Sequence, residues 1–222
     1  MRYSVRVRTW VAVGQDSNSS KMPSKPASNV KDACARRARY VTHYVRRMSA
    51  KCNAESDKNQ VFAGAYIAYV AFFESQLEDL FIGLMTGRYS HPRSAVGPVV
   101  VMPNRDVAKS IVTAGRPYVD WLPFDQNLKK RAPSFLIDGE PFNSLSPPRK
   151  QALKKASTIR NALAHASDHS KEQFHRTFIQ SATVPLGQRS PAPYLRGAHS
   201  LNMSRFEVLV TELVQVMDEL TS

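Results

Sequence analysis

Arg160, Asn161 and His165 are the residues of this chain whose types and spacing point most directly to chemistry. Imidazole titrates near neutrality and can carry a proton to or from a ribose 2′-hydroxyl. Guanidinium can stabilise negative charge as it builds on a phosphorane, and an Asn beside them can orient the imidazole or the phosphate. Together they describe a group that acts on a phosphodiester. The same geometry also fits a plainer arrangement: a His capping a helix C-terminus, an exposed Asn, and an Arg paired to a carboxylate at the edge of the core. Spacing alone leaves both open.

The element that positions them begins at Leu145-Ser146-Pro147-Pro148, with Ser146 as helix cap and Pro147 in the first helical position, and is predicted to run to about Ala166 or Ser167. At about 100° per residue, Ala152, Ala156, Ile159 and Leu163 form one apolar stripe with Leu153 at its margin. Lys154, Thr158, Asn161 and His165 fall on the opposite side, and Arg160 emerges at the stripe's edge, where its long stem can reach outward.

Three further segments carry a helical period. Ser28 caps the first, whose apolar positions are Val30, Cys34, Val41, Tyr44, Val45 and Met48. After a polar break over Asn53 to Asn59, the second runs from about Gln60 to Thr86 and stops at Gly87. The last spans Ser200 to Leu220. Between Arg88 and Phe142, seven prolines limit helix to short pieces such as Asp106 to Thr113, and Val99-Val100-Val101 could form a short strand. Gln180 to His199 reads as a surface loop. The expected fold is all-α, a bundle of about four main helices with Pro-rich connections.

Lys and Arg number 31 against 18 Asp and Glu, a formal net charge of +13, which favours a polyanionic partner, most commonly nucleic acid. Arg36, Arg37, Arg39, Arg46, Arg47 and Lys51 crowd one side of the first helix, and with Lys154 they are the candidate nucleic-acid contacts; a solvated charged face is the alternative. Residues 61–73 are almost wholly apolar, but Glu74, Gln76, Glu78 and Asp79 break the run short of the roughly 20 residues a membrane span needs. Two distant cysteines, Cys34 and Cys52, fit a reducing, cytoplasmic setting. None of the six histidines forms a metal-ligand signature, and no phosphate-binding or dinucleotide-binding glycine motif is present, so neither metal nor cofactor is expected. The first 27 residues read as a disordered or over-extended leader, with Met22 as an alternative start, and 28–222 as one helical domain.

Arg160-Asn161-Ala162-Leu163-Ala164-His165 resembles the Arg-x-x-x-x-His signature of the HEPN superfamily, in its form with Asn directly after Arg. Phe72-Phe73-Glu74-Ser75-Gln76-Leu77-Glu78-Asp79-Leu80-Phe81 is similar to the acidic-aromatic core helix of its RNase-like, defence-associated and toxin-associated members. The resemblance covers roughly Val61 to Leu220, with Ala166 standing where Gly is common. It implies a metal-independent endoribonuclease, with a composite site where two protomers bring their Arg and His together, and an antitoxin or nucleotidyltransferase as possible partner. The alternative is a non-catalytic HEPN module that binds nucleic acid or a protein. Glu74, on an otherwise apolar helix, is the candidate carboxylate to orient Arg160; its alternative role is simply to mark the polar edge of that helix.

Overall fold

In the first helix, α1 (Ser28–Ser49), Val30, Cys34, Ala38, Val41 and Val45 recur every three or four residues and are all buried. These contacts belong to a computed structural model that describes residues 24–165, 167–180 and 183–222. Most of the predicted leader lies outside the described residues. Lys25 and Pro26, assigned to it, form a short strand, β1 (Lys25–Pro26), parallel to β2 (Tyr89–Ser90). Ala27, not Ser28, is the N-cap of α1, and it has no side-chain cap bond.

The long helix α2 (Glu55–Met85) starts five residues before the sequence expectation, because Glu55 and Asp57 in its first turn complement the helix dipole without any apolar signal. At 31 residues it is about 46 Å long. Tyr66, Tyr69, Phe73, Leu77, Leu80 and Phe81 along it are fully buried. Gly87 follows with φ +66°, the left-handed turn that glycine allows at a helix end. One turn earlier, Gly83 lets the Tyr89 ring lie directly against the helix backbone; a Cβ there would overlap that ring.

The Pro-rich connection is more than a linker. It carries α3 (Arg105–Thr113), capped by the Asn104 side chain on the Val107 N–H, and the short α4 (Leu128–Arg131). Trp121, Leu122, Phe124, Leu128, Leu136 and Phe142 are buried, and Trp121 and Phe142 pack their rings 5.4 and 5.5 Å from that of Phe81. Asp79 accepts hydrogen bonds from Tyr89 Oη and Arg105 Nη1, both at 2.5 Å, and Glu78 pairs with Lys109 Nζ at 3.0 Å. Val99, Val100 and Val101 form no strand ladder; only Pro98 bridges to Leu136, and the three valines are exposed.

Helix α5 (Pro147–Ala164) packs on α2 and on α8 (Arg205–Thr221), which also lies against α1. Ser146 sits at the N-cap of α5, but its hydroxyl donates to Glu219 Oε2 of α8 at 2.8 Å instead of capping its own helix. Helix α6 (Asp168–Phe174), capped by Ser167, widens into a π turn over His175–Ile179. The expected 180–199 loop in fact holds α7 (Pro191–Arg196), whose Leu195 is fully buried against the core. The last helix begins at Arg205, not Ser200, because residues 198–204 form a small antiparallel hairpin of β3 (Ala198–Ser200) and β4 (Met203–Ser204). Among the described residues the architecture is all-α apart from these two-stranded pairs, and no helix is long and apolar enough to cross a membrane.

Candidate functional site

Ala152, Leu153, Ala156 and Ile159 press α5 into the core, and this fixes the direction in which the rest of the helix faces. Arg160 and Asn161 fall beyond that buried stripe, both half-buried. The helix ends at Ala164. His165 has extended backbone, φ −122° and ψ 126°, with its N–H still bonded to the Asn161 carbonyl at 2.9 Å. The helical wheel therefore does not place the imidazole. What places it is the chain leaving the helix one residue after Ala164, and the side chain is exposed. Ala166 lies outside the described residues.

A cleft of about 470 Å³ opens at this end of α5. Ser157, Arg160, Asn161 and His165 form one wall, Val70 and Glu74 of α2 another, and Tyr118, Asp120, Leu122 and Pro123 of the Pro-rich connection the third. Arg160 Nη1 donates to Asn161 Oδ1 at 2.9 Å, so the Asn carbonyl holds the guanidinium from the adjacent position on the helix. Glu74 shares the cleft with Arg160 but makes no ion pair with it within 4.0 Å. Burial pushes the Glu74 carboxyl above its ordinary range and the Asp120 charge adds to this, against the opposing pull of Arg160 and of the Leu122 backbone. The guanidinium thus acts on Glu74 through space, and Asn161 is its direct partner.

One cleft therefore holds a proton-transfer side chain, a fixed cation, an amide and a carboxylate with a raised pKa. Such a set can hold a phosphate against Arg160 and pass a proton through His165. Tyr118 and Asp120 were not legible as site residues, since they sit in a Pro-bounded segment that looks like connection. Their only local signal is an aromatic and an acidic side chain between Pro117 and Pro123. His169 and His175 lie on α6 and its π turn, and neither lines this cleft.

The α1 arginines divide into different environments. Arg36, Arg39 and Arg47 are exposed, and no carboxylate among the described residues lies within 4.0 Å of them. The Arg37 guanidinium lies over the Tyr40 ring at 5.2 Å and the Phe72 ring at 5.8 Å. Arg46 is committed elsewhere: its Nε donates to Glu207 Oε1 of α8 at 2.5 Å, fastening α1 to α8. Lys154 is exposed on α5, apart from the α1 group in sequence and on a different helix. Among the described residues no cluster of three or more His, Cys, Asp or Glu side chains is arranged to hold a metal ion.

No protein-family description, curated protein or solved structure matches this chain.

Proposed function

We propose that this chain is a HEPN-type helical domain that cleaves RNA without a metal ion, and that it works as a homodimer. The carrying observation is that Arg160, Asn161, His165 and Glu74, from two helices and a helix end, line one open cleft. In this reading the four longest helices, α1, α2, α5 and α8, are the bundle, and the Pro-rich connection supplies the outer wall of the site.

The reaction is a transesterification within the RNA strand. The ribose 2′-oxygen attacks the adjacent phosphorus while its proton passes to a neutral imidazole. The bond from phosphorus to the 5′-oxygen breaks, and that oxygen takes a proton from an imidazolium. The products are a 2′,3′-cyclic phosphate and a 5′-hydroxyl. Arg160 offsets the charge on the phosphorane, and Asn161 holds Arg160 in place. One His supplies one proton-transfer group, so a two-fold axis that brings a second copy of His165 to the same phosphate would provide both acid and base.

The test is incubation of wild type, His165→Ala and Arg160→Ala with RNA in EDTA, followed by analysis of the product ends. Wild type is expected to leave cyclic phosphate ends, with both variants reduced by about 100-fold or more. Undiminished cleavage by His165→Ala, or cleavage abolished by EDTA, overturns the mechanism. The second reading, a non-catalytic RNA-binding module, is favoured by the exposed Arg36, Arg39 and Arg47 on α1. An inactive wild type that binds RNA would establish it, and light scattering decides the dimer separately.

A further inference from the structure

A second groove, of about 310 Å³, runs between α1 and α2 and shares no lining residue with the α5 cleft. Its α1 wall presents Arg37, Tyr40 and Tyr44; on α2, Gly64, Ala65 and Ala68 form a floor of small residues with Gln60 and Val61 at one end. The two tyrosine rings are nearly parallel, inclined by 16° with centroids 6.4 Å apart, and Tyr40 is 60% exposed. The Arg37 guanidinium covers part of the Tyr40 ring, and the Arg37 Nε is buried with no hydrogen-bond partner.

Gly64 makes the groove look kept open. It stands inside a 31-residue helix, where glycine is among the least favourable residues, yet a Cβ at that position would meet none of the described residues beyond its own helix turn within 4 Å. Packing among the described residues gives no reason for a glycine there. A ligand lying on the helix backbone would.

We infer that this groove is a stacking site for an unpaired base of single-stranded RNA. Tyr40 and Tyr44 offer π faces, the Arg37 guanidinium lies over the Tyr40 ring and holds it in place, and Arg36, Arg39 and Arg47 on the same helix attract the phosphates. An acidic protein would satisfy the charges, but it would have no use for parallel aromatic faces above a small-residue floor. The inference rests on the RNA reading for the identity of the polymer, and not on catalysis at His165.

The experiment is fluorescence anisotropy with a labelled single-stranded RNA of about 12 nucleotides, and with the matching duplex, in a His165→Ala background that prevents cleavage. Tyr40→Ala is expected to weaken single-strand binding about tenfold with an unchanged salt slope and to leave duplex binding alone, since stacked pairs expose no free face. Tyr40→Phe should bind as the parent does. Gly64→Gln should raise Tm by about 2 °C by improving helix propensity, yet weaken single-strand binding because its side chain fills the groove. Equal single-strand affinity in Tyr40→Ala and its parent, or an equal loss on single strand and duplex, overturns the stacking site while leaving the ribonuclease reading intact. A parent that binds no RNA overturns both. Absent cyclic phosphate ends in the wild type, with these binding differences present, overturns only catalysis.

Discussion

Arg46 and Arg47 are neighbours in a basic run, yet one is ion-paired to Glu207 and the other is exposed, and on the RNA reading proposed above, substituting each by Gln should separate stability from RNA binding. Arg46 is 65% exposed but bonds to Glu207, whose side chain is only 10% exposed. Glu207 also closes a capping box: its Oε2 accepts the Ser204 N–H at 2.8 Å while its own N–H bonds to the Ser204 hydroxyl at 3.3 Å. Losing the guanidinium alone removes one charge-assisted bond made by a group that is itself mostly solvated, about 1 kcal/mol. Glu207→Ala removes that bond and the carboxylate half of the capping box, about 2 kcal/mol. For a chain of this size 1 kcal/mol corresponds to roughly 2–4 °C, so Arg46→Gln should lower Tm by about 3 °C and Glu207→Ala by about 6 °C. Arg47→Gln should leave Tm within about 1 °C and instead reduce the slope of log K against log salt by about 0.7. Thermal unfolding by circular dichroism and anisotropy titrations across a salt series measure both quantities. The reasoning fails if Arg47→Gln costs as much Tm as Arg46→Gln, or if Arg46→Gln lowers the salt slope with no change in Tm.

The same pair sets a pH signature. Burial pushes the Glu207 carboxyl up, but the hydrogen bonds from Arg46 and Ser204 and the Arg46 charge together outweigh it and hold the group below its ordinary range. Its contribution is then complete above the unfolded carboxylate value of about 4.3 and is lost as pH falls through the lower folded value. The Tm gap between wild type and Glu207→Ala should hold from pH 7 to about pH 5 and close in stronger acid.

Glu74 should behave in the opposite sense: with its carboxyl raised chiefly by burial, wild type loses stability as pH climbs from about 4.3 through the folded value, so Glu74→Gln should melt higher than wild type at pH 7 and level with it in acid. A lower Tm for Glu74→Gln at pH 7 would mean that attraction to Arg160 outweighs burial. Gly83→Ala should destabilise by about 1–3 kcal/mol, since its methyl group would overlap the Tyr89 ring; chemical denaturation gives the value, and a neutral result would mean that Tyr89 moves freely. Of the two free thiols, Cys34 is buried and pushed up to about 12, whereas Cys52 is half-buried, so a thiol reagent on native protein should label Cys52 readily and Cys34 only after unfolding. Fast labelling of both thiols would contradict the packing of α1 on α2.

Helical periodicity in α1, α5 and α8 is written in residues three and four apart, so their apolar faces can be read without tertiary information; Val30, Cys34, Val41 and Val45 are an example. The Ser146-Pro147 start of α5 is equally local. Boundaries that depend on charge or on distant packing were not legible in this way. The first turn of α2 is polar and exposed, and α7 is a six-residue helix that starts at Pro191 and contains Pro193, whose Leu195 makes sense only against the core. The exit of the chain at His165, with its extended backbone, likewise could not be read from the six-residue spacing that made it conspicuous. Composition and period thus determined that the chain is helical, basic and equipped with an Arg and a His near one helix end. Only the tertiary structure decided that Glu74, Tyr118 and Asp120 share their cleft, and that Arg46 belongs to Glu207, 161 residues away. Local sequence restricts backbone conformation over a few residues, whereas the partner of a charge is selected by which faces the packed core leaves side by side.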